Sequence, residues 1–327
     1  MEAYRWLSTL SFTYTRKEMR LMLQVRRRTI FFYMLPMIVT IAIINLSPIL
    51  YTFYLSLTNN TEFNNSYNFV GLQNYINLIL STNSDLYPVL GSTILYVIVC
   101  VALFLIIGTL TALALNNPKV KGLPFWRMVL LIPWAAPSAI TALIWKFLFN
   151  ETFGPINQIA RVFFGPKFNI PWLSSPFWAF AAVVIVNVWL SYPFFTVVIL
   201  GALQSIPQEL NEAANVDGAN ALQRFIQIKL PLLRPAITPA AILSAITTFQ
   251  MFNTVYLITQ GGPITNAAKP GATSFVMVYM YNQVLGGGLA NIHYAFIASF
   301  AITMFIILGA ITFMARSFGP RNKEALA

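Results

Sequence analysis

The chain has 327 residues, of which 57% are hydrophobic and 9% are charged, and its mean hydropathy is +0.69. Soluble domains carry about 25% charged residues, so this composition excludes an ordinary water-soluble domain, a disordered chain and a disulfide-stabilised scaffold. The formal net charge is +11, but the basic residues lie between apolar blocks and form no compact patch that would bind nucleic acid.

Six apolar runs are long enough to cross a bilayer, which needs about 20 residues per helix. We predict an all-α integral membrane protein with a basic cytoplasmic segment (1–29), a transmembrane domain (30–315) and a cytoplasmic tail (316–327). The predicted transmembrane helices span 30–57, 89–115, 128–149, 177–203, 236–258 and 292–315. Prolines interrupt several of them, which membrane helices tolerate because neighbouring groups satisfy the freed carbonyls.

The basic residues give the orientation of these spans. Sixteen of the 20 precede the first span, follow the second or fourth span, or lie in the tail, whereas four lie on the opposite side. Because loops rich in Lys and Arg stay in the cytoplasm, both termini are predicted to be cytoplasmic. The first 29 residues are expected either to lie along anionic membrane lipid or to form a solvated tail.

The deep parts of the six spans contain no Asp, Glu, Lys or Arg. Proton-coupled transporters usually place carboxylates or His there, so proton coupling, voltage sensing and intramembrane acid–base catalysis are disfavoured. Sodium coupling is less firmly excluded, since unwound backbone carbonyls bind that ion. His293 has no Cys or His partner at metal-ligand spacing, and Cys100 lies in an apolar run, so we expect neither a metal site nor catalytic residues.

Uncharged polar and aromatic residues follow helical spacing in three spans, so within each span they share a face. They are Trp134 and Ser138 in span three, Asn187, Leu190, Ser191 and Phe194 in span four, and Ser244, Thr247, Thr248 and Gln250 in span five. One interpretation is hydrogen bonding between helices. The other is a cavity in which amides and hydroxyls hold a neutral, hydroxyl-rich ligand such as a sugar against aromatic rings.

The longest cytoplasmic loop, 204–235, is predicted to form a helix–turn–helix outside the lipid. Ser205 has the capping-box spacing to Gln208, which predicts the start of the first helix. Gly218 follows an aspartate in a turn dipeptide, and the second helix is expected to end at Pro231.

Seven positions of this loop match the motif EAA---G---------I-LP of binding-protein-dependent ABC importers, and the chain resembles the permease subunits of that family. They are Glu212, Ala213, Ala214, Gly218, Ile228, Leu230 and Pro231, with Asp217 beside them. The resemblance implies that this loop couples the membrane subunit to an ATPase subunit. The sequence has no G-x-x-x-x-G-K-[ST] loop, so we expect no cofactor on this chain and ATP with Mg on the partner ATPase subunits.

Segments 131–138, 187–193 and 261–281 resemble the larger membrane subunit of maltose/maltodextrin transporters, and segment 256–263 resembles the end of the fifth span of sugar permeases. That resemblance implies that Asn187, Leu190 and Ser244 contact sugar. Ser138 is the same residue as in that subunit. Trp134 stands in place of a Tyr, Ser191 in place of a Gly and Phe194 in place of a Tyr, and Thr247-Thr248 replace Phe-Asn. The first external loop, 58–88, is too short for the folded external domain of the best-known member.

We therefore expect a membrane subunit of an ATP-driven sugar importer in a bacterial or archaeal cytoplasmic membrane, carrying maltose, maltodextrin or a related α-glucoside. The resemblance implies four kinds of partner: a second, homologous permease subunit, an ATPase dimer, an extracytoplasmic sugar-binding protein and membrane lipid. The alternatives are a permease for another neutral sugar or polyol, an ion-coupled secondary transporter and an integral-membrane enzyme.

Overall fold

The computed structural model describes residues 27–61, 68–81, 84–266, 269–285 and 293–318, with side chains described from 30 to 313 within these ranges. Most of the predicted N-terminal segment and tail therefore lies outside the described residues. Two units, 1–55 and 56–327, are described separately below. An isolated antiparallel β-bridge pairs Thr58 with Phe69.

Fourteen α-helices occur in the described ranges. They are α1 Arg27–Ile41, α2 Ser47–Ser56, α3 Gln73–Leu80, α4 Leu86–Leu115, α5 Leu123–Ala135, α6 Ser138–Leu148, α7 Pro155–Phe164, α8 Pro176–Gln204, α9 Gln208–Val216, α10 Ala221–Arg224, α11 Leu230–Phe249, α12 Asn253–Thr259, α13 Val276–Leu285 and α14 Tyr294–Phe318. Five helical stretches among the described residues are long and apolar enough to cross a membrane, and the bent pair α5–α6 makes a sixth if it is one span.

In the first unit, one π turn joins α1 to α2 into a single apolar helix. The Ser47 amide donates to the Ala42 carbonyl, five residues back, and Pro48 follows directly. A proline lacks the amide hydrogen, and its ring collides with the carbonyl four residues back in a regular α-helix. The wider turn accommodates that ring, so the apolar run continues as a helix.

The second unit is built around the crossing of α4 and α8. Buried residues recur on α4 every three or four positions, whereas Ile98, Ile106 and Leu110 on the other faces are exposed, as suits a helix with one side toward lipid. At the crossing, Gly108 of α4 lies so close to α8 that a Cβ atom added there would be 2.5 Å from the Phe195 Cβ. The hydroxyls of Thr111 and Thr196 hydrogen bond across this contact at 2.6 Å.

The predicted third span, 128–149, is not one straight helix. It is divided into α5 and α6, whose axes meet at 92°. Ala136 is extended, with φ −75° and ψ 135°, because a residue before proline is pushed away from the helical region, and Pro137 is extended as well. Pro133 remains inside α5, so Pro137 is the proline at the break.

The predicted fifth span, 236–258, differs from the observed helices at both ends. A helical stretch runs from Ala221 to Phe249, and the chain breaks at 250–252 before α12 begins. The second helix of the loop does not end at Pro231, as the sequence predicted. A π turn precedes that proline, with the Leu230 amide bonded to the Phe225 carbonyl, so the helix continues into α11 in the same way as α1 continues into α2.

Candidate functional site

A cavity of about 400 Å³ lies where α5, α6, α8 and the α11–α12 break meet. Its described lining consists of Trp134, Ala136, Ser138, Asn187, Leu190, Ser191, Thr247, Gln250, Met251, Phe252, Asn253 and Thr254. A smaller adjoining space of about 210 Å³ is lined by Trp134, Ser191, Phe194, Leu243, Ser244 and Thr247. These two lists include nine of the ten residues that the sequence predicted for the site. Thr248 is missing from both and is 3% exposed.

The break between α5 and α6 positions the aromatic side of the cavity. Trp134 lies in the last turn of α5 and is 58% exposed, and Ser138 is the first residue of α6. The ring centroid of Trp134 is 6.3 Å from that of Phe194 on α8, at an interplanar angle of 43°. Two tilted rings at this distance form one apolar wall, against which the C–H face of a ring-shaped ligand can pack.

The polar stripe of α8 forms another part of the lining. The Ser191 hydroxyl donates to Asn187 Oδ1 at 3.3 Å, one helical turn away. The Asn187 side chain is fully buried, and its Nδ2 has no hydrogen-bond partner among the described residues. Its amide lies beside the Tyr96 hydroxyl and the Cys100 thiol, at the edge of the cavity.

The end of α11 supplies hydroxyl and amide groups. The Thr247 hydroxyl donates to the Ser244 carbonyl at 3.1 Å, and Gln250 lies at the break where α11 ends. Because the chain leaves α11 here and restarts at Asn253, residues from both sides of the break reach the cavity.

Outside the predicted set, Leu243 on α11 also lines the smaller space, and five further lining residues lie at the two breaks. They are Ala136, Met251, Phe252, Asn253 and Thr254. Pro137 was a usable signal for the first break, since a proline disfavours helix in the residue before it. The second break contains no proline and gave no comparable signal.

None of the described residues that line these two spaces is ionisable. A charged ligand would lose its hydration there without an opposite charge to compensate, whereas a neutral ligand with hydroxyl groups can exchange water for amides and hydroxyls. The site can therefore bind and orient a neutral polar molecule. Over the described ranges, no three His, Cys, Asp or Glu side chains are grouped so that they could hold a metal ion.

A second cavity, of about 660 Å³, lies near the start of α4 and has a different character. Its lining includes Asp85, Gln283 and His293. The Tyr279 hydroxyl donates to Asp85 at 2.8 Å. Burial, and to a lesser extent the neighbouring carboxylate, raise the pKa of Tyr279, so its phenol stays protonated and keeps this hydrogen bond.

The segment with the seven-position motif begins with α9, which ends in a Schellman motif. Gly218 has φ +78°, its amide donates to the Asn215 carbonyl at 3.1 Å, and the Ala219 amide donates to the Ala214 carbonyl at 3.0 Å. This pair of bonds requires a left-handed residue after the helix, a conformation that glycine adopts without strain. The spacing between the alanines and the glycine therefore follows from how the helix ends.

The predicted cap of α9 is wrong, and a real capping box lies elsewhere. Ser205 donates its hydroxyl to the Ala202 carbonyl, and Pro207 occupies the cap position without a side-chain hydrogen bond. Instead, Asn220 caps α10: its Oδ1 accepts from the Gln223 amide at 2.9 Å, and its own amide donates to Gln223 Oε1 at 2.8 Å. The spacing Asn-x-x-Gln would have revealed this box.

The motif residues are mostly available for contact with another molecule. Glu212, Ala213, Asp217, Gly218 and Pro231 are exposed, Ile228 and Leu230 are half-buried, and Ala214 is buried. Apolar side chains beside them are exposed as well, Val216 at 88% and Leu222 at 65%. This combination of exposed apolar and acidic side chains on two short helices is typical of a contact surface.

Residues 105–323 match the family described as "Binding-protein-dependent transport system inner membrane component". The trehalose/maltose transport system permease protein MalF of Thermococcus litoralis is 35% identical over 274 residues, which are 82% of this chain and 89% of that protein. The maltodextrin transport system permease protein MdxF of Bacillus subtilis (strain 168) is 33% identical over 271 residues, 78% of this chain but only 61% of that protein.

The fold is also similar to a solved structure. A chain of a bacterial ABC transporter involved in the import of the acidic polysaccharide alginate superposes with a TM-score of 0.73, covering 93% of this chain and 100% of that chain at 19% identity. The identity is too low to carry more than the fold. The family match covers both the cavity and the motif segment, and the chain therefore belongs to the family of inner membrane components of binding-protein-dependent transport systems.

Proposed function

We propose that the chain is the permease subunit of an ATP-driven importer for a neutral sugar, with maltose, maltodextrin or a related α-glucoside as its substrate. The observation that carries this proposal is the cavity of about 400 Å³ whose described lining combines amides, hydroxyls and aromatic rings without an ionisable side chain. Such a lining suits a polyhydroxylated, uncharged ligand. The names of the two relatives above, which specify maltodextrin and trehalose/maltose, support the α-glucoside class.

In this proposal the segment from Glu212 to Pro231 contacts a partner ATPase subunit, and that subunit binds ATP and Mg. Because the part of this segment from Ala221 onward continues as one helical stretch into α11, its displacement moves the residues of α11 that border the cavity. A second, homologous permease subunit forms the other half of the pathway, and an extracytoplasmic binding protein delivers the sugar. A permease for another neutral sugar or polyol is the alternative, since the same lining suits any hydroxyl-rich ligand.

The proposal is tested at Asn187. Replacing it with alanine removes an amide that would bind a sugar hydroxyl, so we expect the sugar concentration for half-maximal uptake to rise about tenfold, the value of one good hydrogen bond. Uptake of radiolabelled maltose and maltotriose by membrane vesicles with the complete transporter measures this. Asn77→Ala, a matched change at an exposed position of α3, is the control. Unchanged kinetics in Asn187→Ala would remove the cavity from the transport path.

The proposed orientation places both termini in the cytoplasm. A reporter fused after Ala327 that is active only in the cytoplasm should give signal, and a reporter active only outside should give none. The physical basis is the excess of Lys and Arg on the side that carries the termini. The reverse pattern would invert the topology and place the segment around Gly218 outside the cell, where no ATPase could reach it.

A further inference from the structure

The helix α7, in the connection between α6 and α8, has its polar and apolar faces reversed relative to a helix on a soluble protein. Its Asn157 side chain is fully buried, whereas Val162 and Phe163 are 81% and 77% exposed and Ile159 is exposed beside them. The spacing of these three apolar residues, i, i+3 and i+4, places them on one face. A surface helix in water shows the opposite pattern, with its apolar stripe on the core and its polar face outward.

Hydrogen bonds fix the reversed orientation of α7. Asn157 Nδ2 donates to the Ile170 carbonyl at 2.9 Å, and Asn157 Oδ1 accepts from the Ile170 amide and from Trp172 Nε1, both at 3.2 Å. Arg161 Nη2 donates to the carbonyl of Glu151 at 3.0 Å. Glu151 follows α6, and Trp172 precedes α8. The inward side of α7 is therefore fastened near the ends of both neighbouring helices, and its apolar side must point away from them.

The position of α7 brings its outward face to the edge of the bilayer. The connection that contains it starts after Leu148, the end of the bent pair α5–α6, and stops at Pro176, where the membrane-crossing helix α8 begins. Exposed phenylalanine side chains recur along this part of the chain, from the last turn of α6 to the first turn of α8: Phe147, Phe153, Phe164, Phe168 and Phe177. The apolar face of α7 therefore continues the apolar surface of the membrane-crossing helices.

Lipid accounts for this face better than water or a soluble protein does. All three polar side chains of α7, Asn157, Gln158 and Arg161, donate hydrogen bonds to acceptors within the protein. Internal pairing of this kind is what an apolar solvent requires. A docking surface for a soluble protein instead keeps a polar rim around its apolar centre. The exposed side chain of Lys167, just after the helix, suits the phosphates of lipid headgroups.

We propose that α7 is an interfacial helix, which lies in the membrane surface with Ile159, Val162 and Phe163 among the acyl chains and Lys167 at the headgroups. It anchors α8 to the bilayer at the end away from the motif segment, which follows Gln204 at the other end of the same helix. The proposal also removes this connection from the surface that a soluble binding protein can contact. It does not depend on which solute is transported.

Spin labels measure the depth of α7 in the complete transporter, reconstituted in lipid nanodiscs. Val162→Cys and Phe163→Cys are labelled one at a time in a Cys100→Ala background, which removes the one native cysteine of the chain, with cysteine-free partner subunits. Oxygen, which concentrates in the bilayer, and a water-soluble nickel chelate relax each label according to its surroundings. We expect oxygen to dominate at both positions, at a depth of roughly 5–10 Å below the headgroup boundary.

Two references calibrate the measurement. Phospholipids with spin labels at known acyl positions give the lipid scale. Lys121→Cys, at an exposed position of the basic loop after α4, gives the value for water and should be relaxed mainly by nickel. If Val162→Cys or Phe163→Cys prevents assembly of the complex, Ile159→Cys on the same face takes its place.

Three outcomes would overturn the proposal. Nickel relaxation on α7 equal to that of Lys121→Cys, with and without the binding protein, would show a hydrated face. Nickel relaxation that falls only when the binding protein is added would assign the face to that protein. Labels that neither oxygen nor nickel reaches would place it in an interface between subunits. Each result would leave the proposed function standing, since none of them involves the cavity.

Discussion

Replacing Gly218 with valine should abolish ATP-driven uptake while leaving the protein in the membrane. Gly218 has φ +78°, and a β-branched residue in the left-handed region costs roughly 1–2 kcal/mol or more. That strain opposes the two Schellman bonds that end α9, so α9 and α10 would no longer keep their relative placement. The site for an added Cβ is open, with no atom within 4 Å, so the effect comes from the backbone and not from a collision.

Gly218→Asn is the matched control, because asparagine tolerates the left-handed conformation far better than valine does. It should retain most of the uptake. The measurements are uptake in membrane vesicles, the amount of the chain in the membrane fraction, and ATPase activity stimulated by the loaded binding protein. Normal stimulated ATPase activity and uptake in Gly218→Val would mean that the geometry of this segment has no part in coupling.

Gly108→Ala should lower the stability of the protein. The added Cβ would lie 2.5 Å from the Phe195 Cβ and 3.2 Å from the backbone of α8, so the two central helices must move apart. Overpacking of this kind costs typically about 1–3 kcal/mol. The hydrogen bond between Thr111 and Thr196, one turn away, would be stretched as well. The melting temperature of the purified complex and its yield measure the effect.

Gly91→Ala on the same helix is the control for Gly108→Ala. Its added Cβ would meet no atom within 4 Å. Both changes gain the same helix propensity, up to about 1 kcal/mol, so the difference between them isolates the close approach of α4 and α8. Equal melting temperatures for the two variants would contradict the crossing described above.

The cavity was largely predictable because its residues follow helical periodicity. Asn187, Leu190, Ser191 and Phe194 share one face of α8, and spacing alone groups them. Thr248 shows the limit of that reasoning: it carries the same kind of side chain as Thr247, yet it is buried and does not line the cavity. A polar residue beside a stripe can face either the protein interior or the cavity. The rotation of the helix about its axis decides between these two orientations.

The helix breaks were harder to predict from sequence. In span three, the sequence indicates a helix break equally at Pro133 and at Pro137. The helix continues through Pro133 and ends before Pro137. The reverse holds at Pro231, where a helix end was predicted and a π turn keeps the helix intact. Because packing against neighbouring helices decides whether a proline kinks, breaks or is absorbed, one sequence cannot fix these boundaries.

The helix caps of the motif segment show why local signals compete. Ser205 has the right spacing for a capping box, but its hydroxyl bonds to the carbonyl of Ala202 in the last turn of α8. A serine near a helix end can bond either to the helix before it or to the helix after it. Gly218 had no such alternative, since its turn requires a positive φ, and the sequence placed that turn correctly.

We propose that a partner that hydrolyses ATP powers this membrane subunit through its motif segment. The most direct test is sugar accumulation in proteoliposomes that contain either the complete complex with binding protein or the purified chain alone. We expect ATP-dependent accumulation of maltose by the complete complex and none by the chain alone under a proton or sodium gradient. Accumulation by the chain alone under an ion gradient would contradict it.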